Sequence, residues 1–244
     1  MKILGIIPSR FDSTRFPGKP LVMIEGKTMI RRVYEQALKA KSLDRVVVAT
    51  DDKRIADEVE SFGGTFVYTA PSHQSGTDRC AEVVGMLPGY DVAINIQGDE
   101  PFIDPLQIDL LASCFNTEKV QLATLIKEIH KREELFNINI PKVLVNLKQE
   151  AIYFSRHPIP YLRNVPEEKW LQSHRFFKHI GIYGYKLEAL LAITRLGTSS
   201  LERAESLEQL RWIENGYTIE TRLTTIETIS IDNPEDLNKI IGLK

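Results

Sequence analysis

Lys2-Ile3-Leu4-Gly5-Ile6-Ile7-Pro8 is an Ile/Leu run of strand length, the pattern of a strand covered on both faces in a parallel sheet. A polar loop containing Gly and Pro follows it. From Thr28 the period changes: Met29, Ile30, Val33, Tyr34, Ala37 and Leu38 share one helical face, and Thr28 suits the N-cap. The alternation recurs outward, with strands expected at Arg45 to Ala49, Thr65 to Tyr68 and Asp91 to Ile96, and helices at Lys53 to Phe62 and Asp78 to Met86. Strands separated by helical stretches imply right-handed βαβ crossovers into one parallel sheet. The fold class expected is α/β, a doubly wound, mostly parallel, Rossmann-like sheet.

Beyond Asp104-Pro105 and a helix to about Phe115, the texture shifts to strands with fewer helices between them: Leu122 to Ile129, Lys142 to Leu147, Ala151 to Ser155 and Lys178 to Tyr185. This predicts a smaller mixed-sheet subdomain, inserted at roughly 120–185 into a single domain spanning 1–244. The Pro-, Arg- and aromatic-rich stretch from Arg156 to Lys178 is too long for a mere connector and reads as a lid or partner contact. A helix from Ser200 to Asn215 would turn Leu201, Ala204, Leu207, Leu210 and Ile213 to the core. A strand from Tyr217 to Leu223 and a short one ending Ile229-Ser230-Ile231-Asp232 precede a last helix, with Asn233 as N-cap and Pro234 at its first position.

With 43% hydrophobic and 26% charged residues, the chain is neither fibrous nor disordered in composition. Its net charge of −2 provides no broad basic field for a nucleic-acid duplex, so any polyanion site must be local. The longest apolar stretch, Ala189 to Ile193, is far short of the ~18 residues that a membrane span needs. The first residues lack the pattern of an export signal. Cys80 and Cys114 have no CxxC partner and are expected to be buried thiols in a cytoplasmic protein.

The chemistry is expected at the carboxyl ends of the strands, where open α/β sheets bind ligands. After the first strand, Arg10, Arg15 and Lys19 fall within ten residues of Ser9, Ser13, Thr14 and Gly18. Hydroxyls and backbone N–H groups can cradle phosphate oxygens, Arg grips them bidentately, and Lys acts as a mobile point charge. This is not the Walker pattern, because Lys19 is followed by Pro20. Gln97-Gly98-Asp99-Glu100-Pro101 places an acid just past the strand ending at Ile96, suited to Mg²⁺ against bound phosphates, although alone it reads equally as a turn with a capping acid. Asp232 also follows an Ile-rich strand, and the two acids together suggest a metal site.

Arg10 through Pro20, Thr50-Asp51, His73 through Arg79, Gln97 through Pro101, Tyr153 through Arg156, Lys178 through Tyr183, Leu207 through Arg211 and Ile231 through Leu237 together resemble, in order, the motifs of the 3-deoxy-manno-octulosonate cytidylyltransferases. The resemblance implies CMP transfer from CTP to the sugar acid Kdo, for lipopolysaccharide assembly, with Mg²⁺ as cofactor and a homodimer as the assembly. It places CTP on Pro8, Ser9, Arg10 and the Ser13 to Lys19 loop, with Arg10, Arg15 and Lys19 as cationic grips. Ser75, Gly76 and Arg79 would line the cytosine and Kdo side, with Gln97 beside Asp99. Asp99 and Asp232 would be the metal acids, and Arg156, His179, Tyr183, Glu208 and Gln209 would meet Kdo. From the residues alone, His179 reads as a structural imidazole, and Glu208 and Gln209 as the solvated side of a helix. A nucleotide-sugar glycosyltransferase would also use a metal acid, but without the Arg15 to Lys19 loop. A cytidylyltransferase for amino-Kdo or a sialic acid could share most of these residues. The segment Ile138-Asn139-Ile140-Pro141-Lys142 departs from the family's pattern.

Overall fold

The computed structural model describes residues 1–12, 16–227, 229–231 and 233–241. Two compact units emerge, one formed by residues 1–112 with 227–244 and the other by residues 113–226. In the first, strand β1 (Ile3–Pro8) is buried from Ile3 to Ile7. The segment before the next helix, expected as loop, holds a 3-10 turn at Lys19–Leu21 and a hairpin of β2 (Met23–Ile24) and β3 (Lys27–Thr28). Glu25 and Gly26 both take positive φ there, as a two-residue hairpin turn requires. Helix α1 (Met29–Ala37) is capped by Thr28, whose side chain accepts from Arg31 N, and Met29, Ile30, Val33, Tyr34 and Ala37 are buried. Leu38, placed on that face from sequence, is instead exposed, because the helix has ended and Leu38 is its C-cap. Then follow β4 (Arg45–Thr50), α2 (Lys53–Ser61), β5 (Phe66–Tyr68), α3 (Gly76–Met86), β6 (Val92–Asn95) and α4 (Pro105–Ser113). The strands β6-β1-β4-β5 are all parallel. The strand order therefore reverses between β1 and β6, which is where such sheets leave a ligand crevice.

The second unit contains β7 (Leu122–Glu128), α5 (Arg132–Phe136), β8 (Lys142–Val145), β9 (Ala151–Ser155), α6 (Trp170–Ser173), β10 (Phe177–Lys186), α7 (Leu187–Ile193), α8 (Ser200–Glu205), α9 (Gln209–Glu214) and β11 (Ile219–Leu223). β10 pairs antiparallel with β7 and β8, β8 pairs antiparallel with β9, and β11 runs parallel to β7. In the stretch expected as a lid or partner contact, Trp170 is buried in an apolar cluster with Ile129, Leu135 and Phe176, while Tyr161 is strongly exposed. Nor is Ser200 to Asn215 one helix. Ser206 adopts a left-handed conformation, and Arg156 donates to the carbonyls of Glu205 and Ser206, which a continuous helix would pair with its own N–H groups. The break resets the helical phase, so Ala204 is exposed and Trp212 takes a core position. Residues 229–231 form no strand, although Ile231 donates from its backbone to Asp99 O at 2.9 Å. The last helix, α10 (Pro234–Ile241), returns to the first unit and is capped as expected: Asn233 Oδ1 accepts from Asp236 N, and the Asp236 carboxylate accepts from Asn233 N.

Candidate active site

A pocket of about 240 Å³ opens at the switch between β1 and β6. Pro8, Ser9 and Arg10 enter it from the end of β1, and Asn95, Gln97, Gly98 and Asp99 from the end of β6. Ser75 and Gly76 bring the N-terminus of α3, and Lys19 and Pro20 come from the loop after β1. Gly18 sets the direction of that loop. Its φ of +72° and an added Cβ only 3.1 Å from the Phe11 ring make it a position that side chains fit poorly, and its N–H closes the loop onto Phe11 O. Phe11 in turn lies under the Arg54 guanidinium, 3.2 Å from ring centroid to Cζ. Gly98 allows close approach: a Cβ there would lie 2.9 Å from Pro8 O and 3.2 Å from Ser9 Oγ.

Lys19 Nζ lies 2.6 Å from Asp99 Oδ2 and 2.8 Å from Ile231 O. A cation and an acid from distant parts of the chain are thus held together, and the backbone pairing of Ile231 with Asp99 fixes the segment that supplies the second acceptor. Arg79, 3% exposed, is oriented from two strand ends: Nη1 donates to Thr69 Oγ1 after β5, and Nη2 meets Asp51 after β4 at 3.2 Å. Ser75 and Asp78 form a reciprocal capping box that presents the start of α3. His73 pairs with Glu82, whose carboxyl sits below the usual range: burial pushes it up, but the Ala70 N–H and the His73 imidazole outweigh that. Ser9 Oγ and Asn95 Oδ1 are buried polar atoms of the pocket without a hydrogen-bond partner among the described residues, the kind of group a polar ligand would satisfy.

No group of three or more His, Cys, Asp or Glu residues suited to a metal occurs among the described residues. Mg²⁺ asks only for one or two carboxylates beside substrate phosphates. Asp99 fits that demand, since its hard oxygen already sits on a cation, the Lys19 ammonium. Ser13, Arg15 and Asp232, read from sequence as ligands, lie outside the described residues.

The five remaining sequence candidates belong to the second unit. His179 and Tyr183, both on β10, have ring centroids 5.2 Å apart. Phe154 meets His179 edge-on, and Trp212 meets Tyr183 edge-on. Burial holds the His179 imidazole down at about 3 and raises the Tyr183 phenol well above its usual range. Gln209 is buried at the start of α9, and Glu208 is its half-buried N-cap residue. Arg156 spends three N–H groups on the carbonyls of Glu205, Ile138 and Ser206. Of the pocket-lining residues, sequence reasoning passed over Asn95, and quoted His73 and Gln74 only within the His73 to Arg79 motif, without a role of their own. Asn95 carried a signal: it is the one polar residue in the strand Val92-Ala93-Ile94-Asn95, and it stands at the carboxyl end.

A family model described as cytidylyltransferase matches residues 4–237. The chain is 57% identical over 242 residues to a protein of Cytophaga hutchinsonii named 3-deoxy-manno-octulosonate cytidylyltransferase, covering 98% of this chain and 96% of that one. A Parabacteroides distasonis protein of the same name is 54% identical over 247 residues, covering 99% and 98%. Among solved structures, a CMP:2-keto-3-deoxy-manno-octonic acid synthetase complexed with CTP superposes with a TM-score of 0.92 at 41% identity, covering 100% of this chain and 98% of its own.

Proposed function

The chain belongs to the cytidylyltransferase family, and on that premise we propose that it transfers CMP from CTP to the anomeric hydroxyl of Kdo, releasing pyrophosphate and forming CMP-Kdo. The observation that carries the reading is the pocket at the β1/β6 switch, where Lys19 and Asp99 meet beside Arg10 and Arg79. The sugar oxygen forms a bond to the α-phosphorus as the bond to the pyrophosphate oxygen breaks. Little covalent chemistry falls to the protein, so positioning and charge stabilisation dominate. Arg10, Arg15 and Lys19 take up charge on the leaving pyrophosphate. Asp99 and Asp232 would hold Mg²⁺, which would supply Lewis-acid neutralisation of the phosphates and lower the pKa of the attacking hydroxyl. Pro8, Ser9, Ser13, Ser75, Gly76, Arg79 and Gln97 bind and orient nucleotide and sugar, and Ser9 Oγ and Asn95 Oδ1 gain there the partners they lack. Arg156, His179, Tyr183, Glu208 and Gln209 select the sugar. The enzyme works as a cytoplasmic homodimer, a single domain carrying an inserted subdomain, and its product feeds lipopolysaccharide assembly.

The test is pyrophosphate release from CTP and Mg²⁺ with a panel of 2-keto sugar acids. Release with Kdo well above that with amino-Kdo or sialic acid is expected. Preference for another acid would reassign the substrate, and CTP binding without release for any acid would overturn the transferase reading.

A further inference from the structure

Between Ile180 and Tyr183 the pairing of β10 with β7 slips: Ile180 stands opposite Leu125, yet Tyr183 stands opposite Thr124, the very next position. Two residues, Gly181 and Ile182, are thus extruded as a bulge. In a regular strand, residues four apart would be separated by roughly 13 Å. Here the rings of His179 and Tyr183 are 5.2 Å apart, so the bulge folds the two side chains together, as bulges beside functional sites re-aim side chains. Thr124, fully buried, stands at the centre. Its Oγ1 lies 2.8 Å from Ile182 O, 3.1 Å from Ile180 O and 3.1 Å from His179 Nε2. The Tyr183 hydroxyl also approaches Thr124 but outside hydrogen-bond geometry.

A hydroxyl has one proton and two lone pairs. Both carbonyls can only accept, and a hydroxyl lone pair turned to Ile182 O at 2.8 Å would repel it, so the Thr124 proton goes to this shortest contact in the bulge backbone and Oγ1 offers His179 a lone pair. His179 Nε2 must then carry the ring's proton, leaving Nδ1 as a bare acceptor that makes no hydrogen bond to any described residue. We propose that Thr124 is a positioning residue that fixes His179 as the Nε2–H tautomer, so that Nδ1 accepts from a hydroxyl of the sugar. This rests on the Kdo reading and sharpens it: His179 recognises an alcohol O–H donor, not the carboxylate. Burial, which holds the imidazole neutral well below physiological pH, supports the assignment.

Nitrogen-15 NMR of histidine-labelled, full-length protein without substrate tests the tautomer, with His179→Gln used to assign the signals. A pyrrole-like Nε2 and a pyridine-like Nδ1 are expected, and the reverse pattern would overturn the proposal. In Thr124→Val, nearly isosteric, the preference should be lost and the KM for the sugar should rise about tenfold, as for one lost hydrogen bond, with the KM for CTP unchanged. Thr124→Ser should restore both. An unchanged His179 spectrum in Thr124→Val would refute the role of the hydroxyl. Should Thr124→Val not fold, the wild-type and Thr124→Ser spectra still decide. Because the spectra need no sugar, the expected tautomer found in an enzyme indifferent to Kdo would refute the substrate reading alone.

Discussion

The pocket at the ends of β1 and β6 and the bulge in β10 organise polar groups by opposite means. In the first, charges stand opposite charges: Lys19 on Asp99, Arg79 on Asp51. Lys19, Asp99 and Asp51 come from loops and strand ends, so the sheet serves as a frame on which distant segments converge. In the second, the groups are neutral and enclosed by aromatic rings, and His179, Tyr183 and Thr124 come from two paired strands. Binding a triphosphate needs charges that can change partners, and Lys19 and Asp99 stay partly open to water. Selecting among sugars needs fixed donors and acceptors, which burial makes costly to mismatch.

That contrast breaks most sharply at Asp99. Asp99→Asn should cut kcat about a thousandfold or more, because the carboxylate that would hold Mg²⁺ against the phosphates is lost. The melting temperature should hardly move, since an ion pair partly open to water adds little stability. Steady-state kinetics beside a thermal melt read both, and near-normal turnover at saturating Mg²⁺ would remove Asp99 from the chemistry. Gly98→Ala tests the frame around it. The new Cβ would press on Pro8 O and Ser9 Oγ, costing about 1–3 kcal/mol as an overpacked site does. A lower melting temperature and a raised KM for CTP should appear together. If only stability fell, Gly98 would be a packing glycine and nothing more.

The charged pocket was the more legible of the two from sequence. Its residues directly follow strands whose apolar runs are unmistakable, so the strand pattern alone suffices to place Ser9, Arg10 and Asp99. The caps at Thr28 and Asn233 were legible for the same local reason. The pairing of Lys19 with Asp99 was not, because it depends on a loop 80 residues away in sequence folding back. In the second unit, a bulge leaves little trace in a sequence that keeps its apolar character through Ile180-Gly181-Ile182. The Ser206 break is hidden likewise, because what makes it is Arg156, 50 residues earlier in the chain.

Arg156→Met isolates that long-range effect. Removing the guanidinium leaves the carbonyls of Glu205, Ile138 and Ser206 without their donor, for a loss of about 1–2 kcal/mol in a denaturant titration. Because α9 begins three residues after the break, Gln209 should shift and the KM for the sugar should rise, with that for CTP constant. An equal rise in both would mean that the guanidinium acts on the nucleotide as well.

The smallest effect concerns acid. The His179 imidazole is held at about 3 in the folded protein against an ordinary 6.5, so between those values the unfolded chain binds the extra proton. Stability supplied by the neutral ring is complete above pH 6.5 and drains away as pH falls toward 3. Between pH 6.5 and 5 the loss is about 2 kcal/mol. This window lies above the range in which Glu82, Glu128 and Glu202, all with lowered carboxyls, give up their own contributions. His179→Gln should therefore flatten the stability profile in that window and leave the steeper fall below pH 4.5 intact. Urea midpoints measured at half-unit pH steps separate the two, and a wild-type profile already flat from pH 6.5 to 5 would show that the ring is hydrated enough to protonate in place, removing the neutral acceptor that sets the bulge apart from the charged pocket.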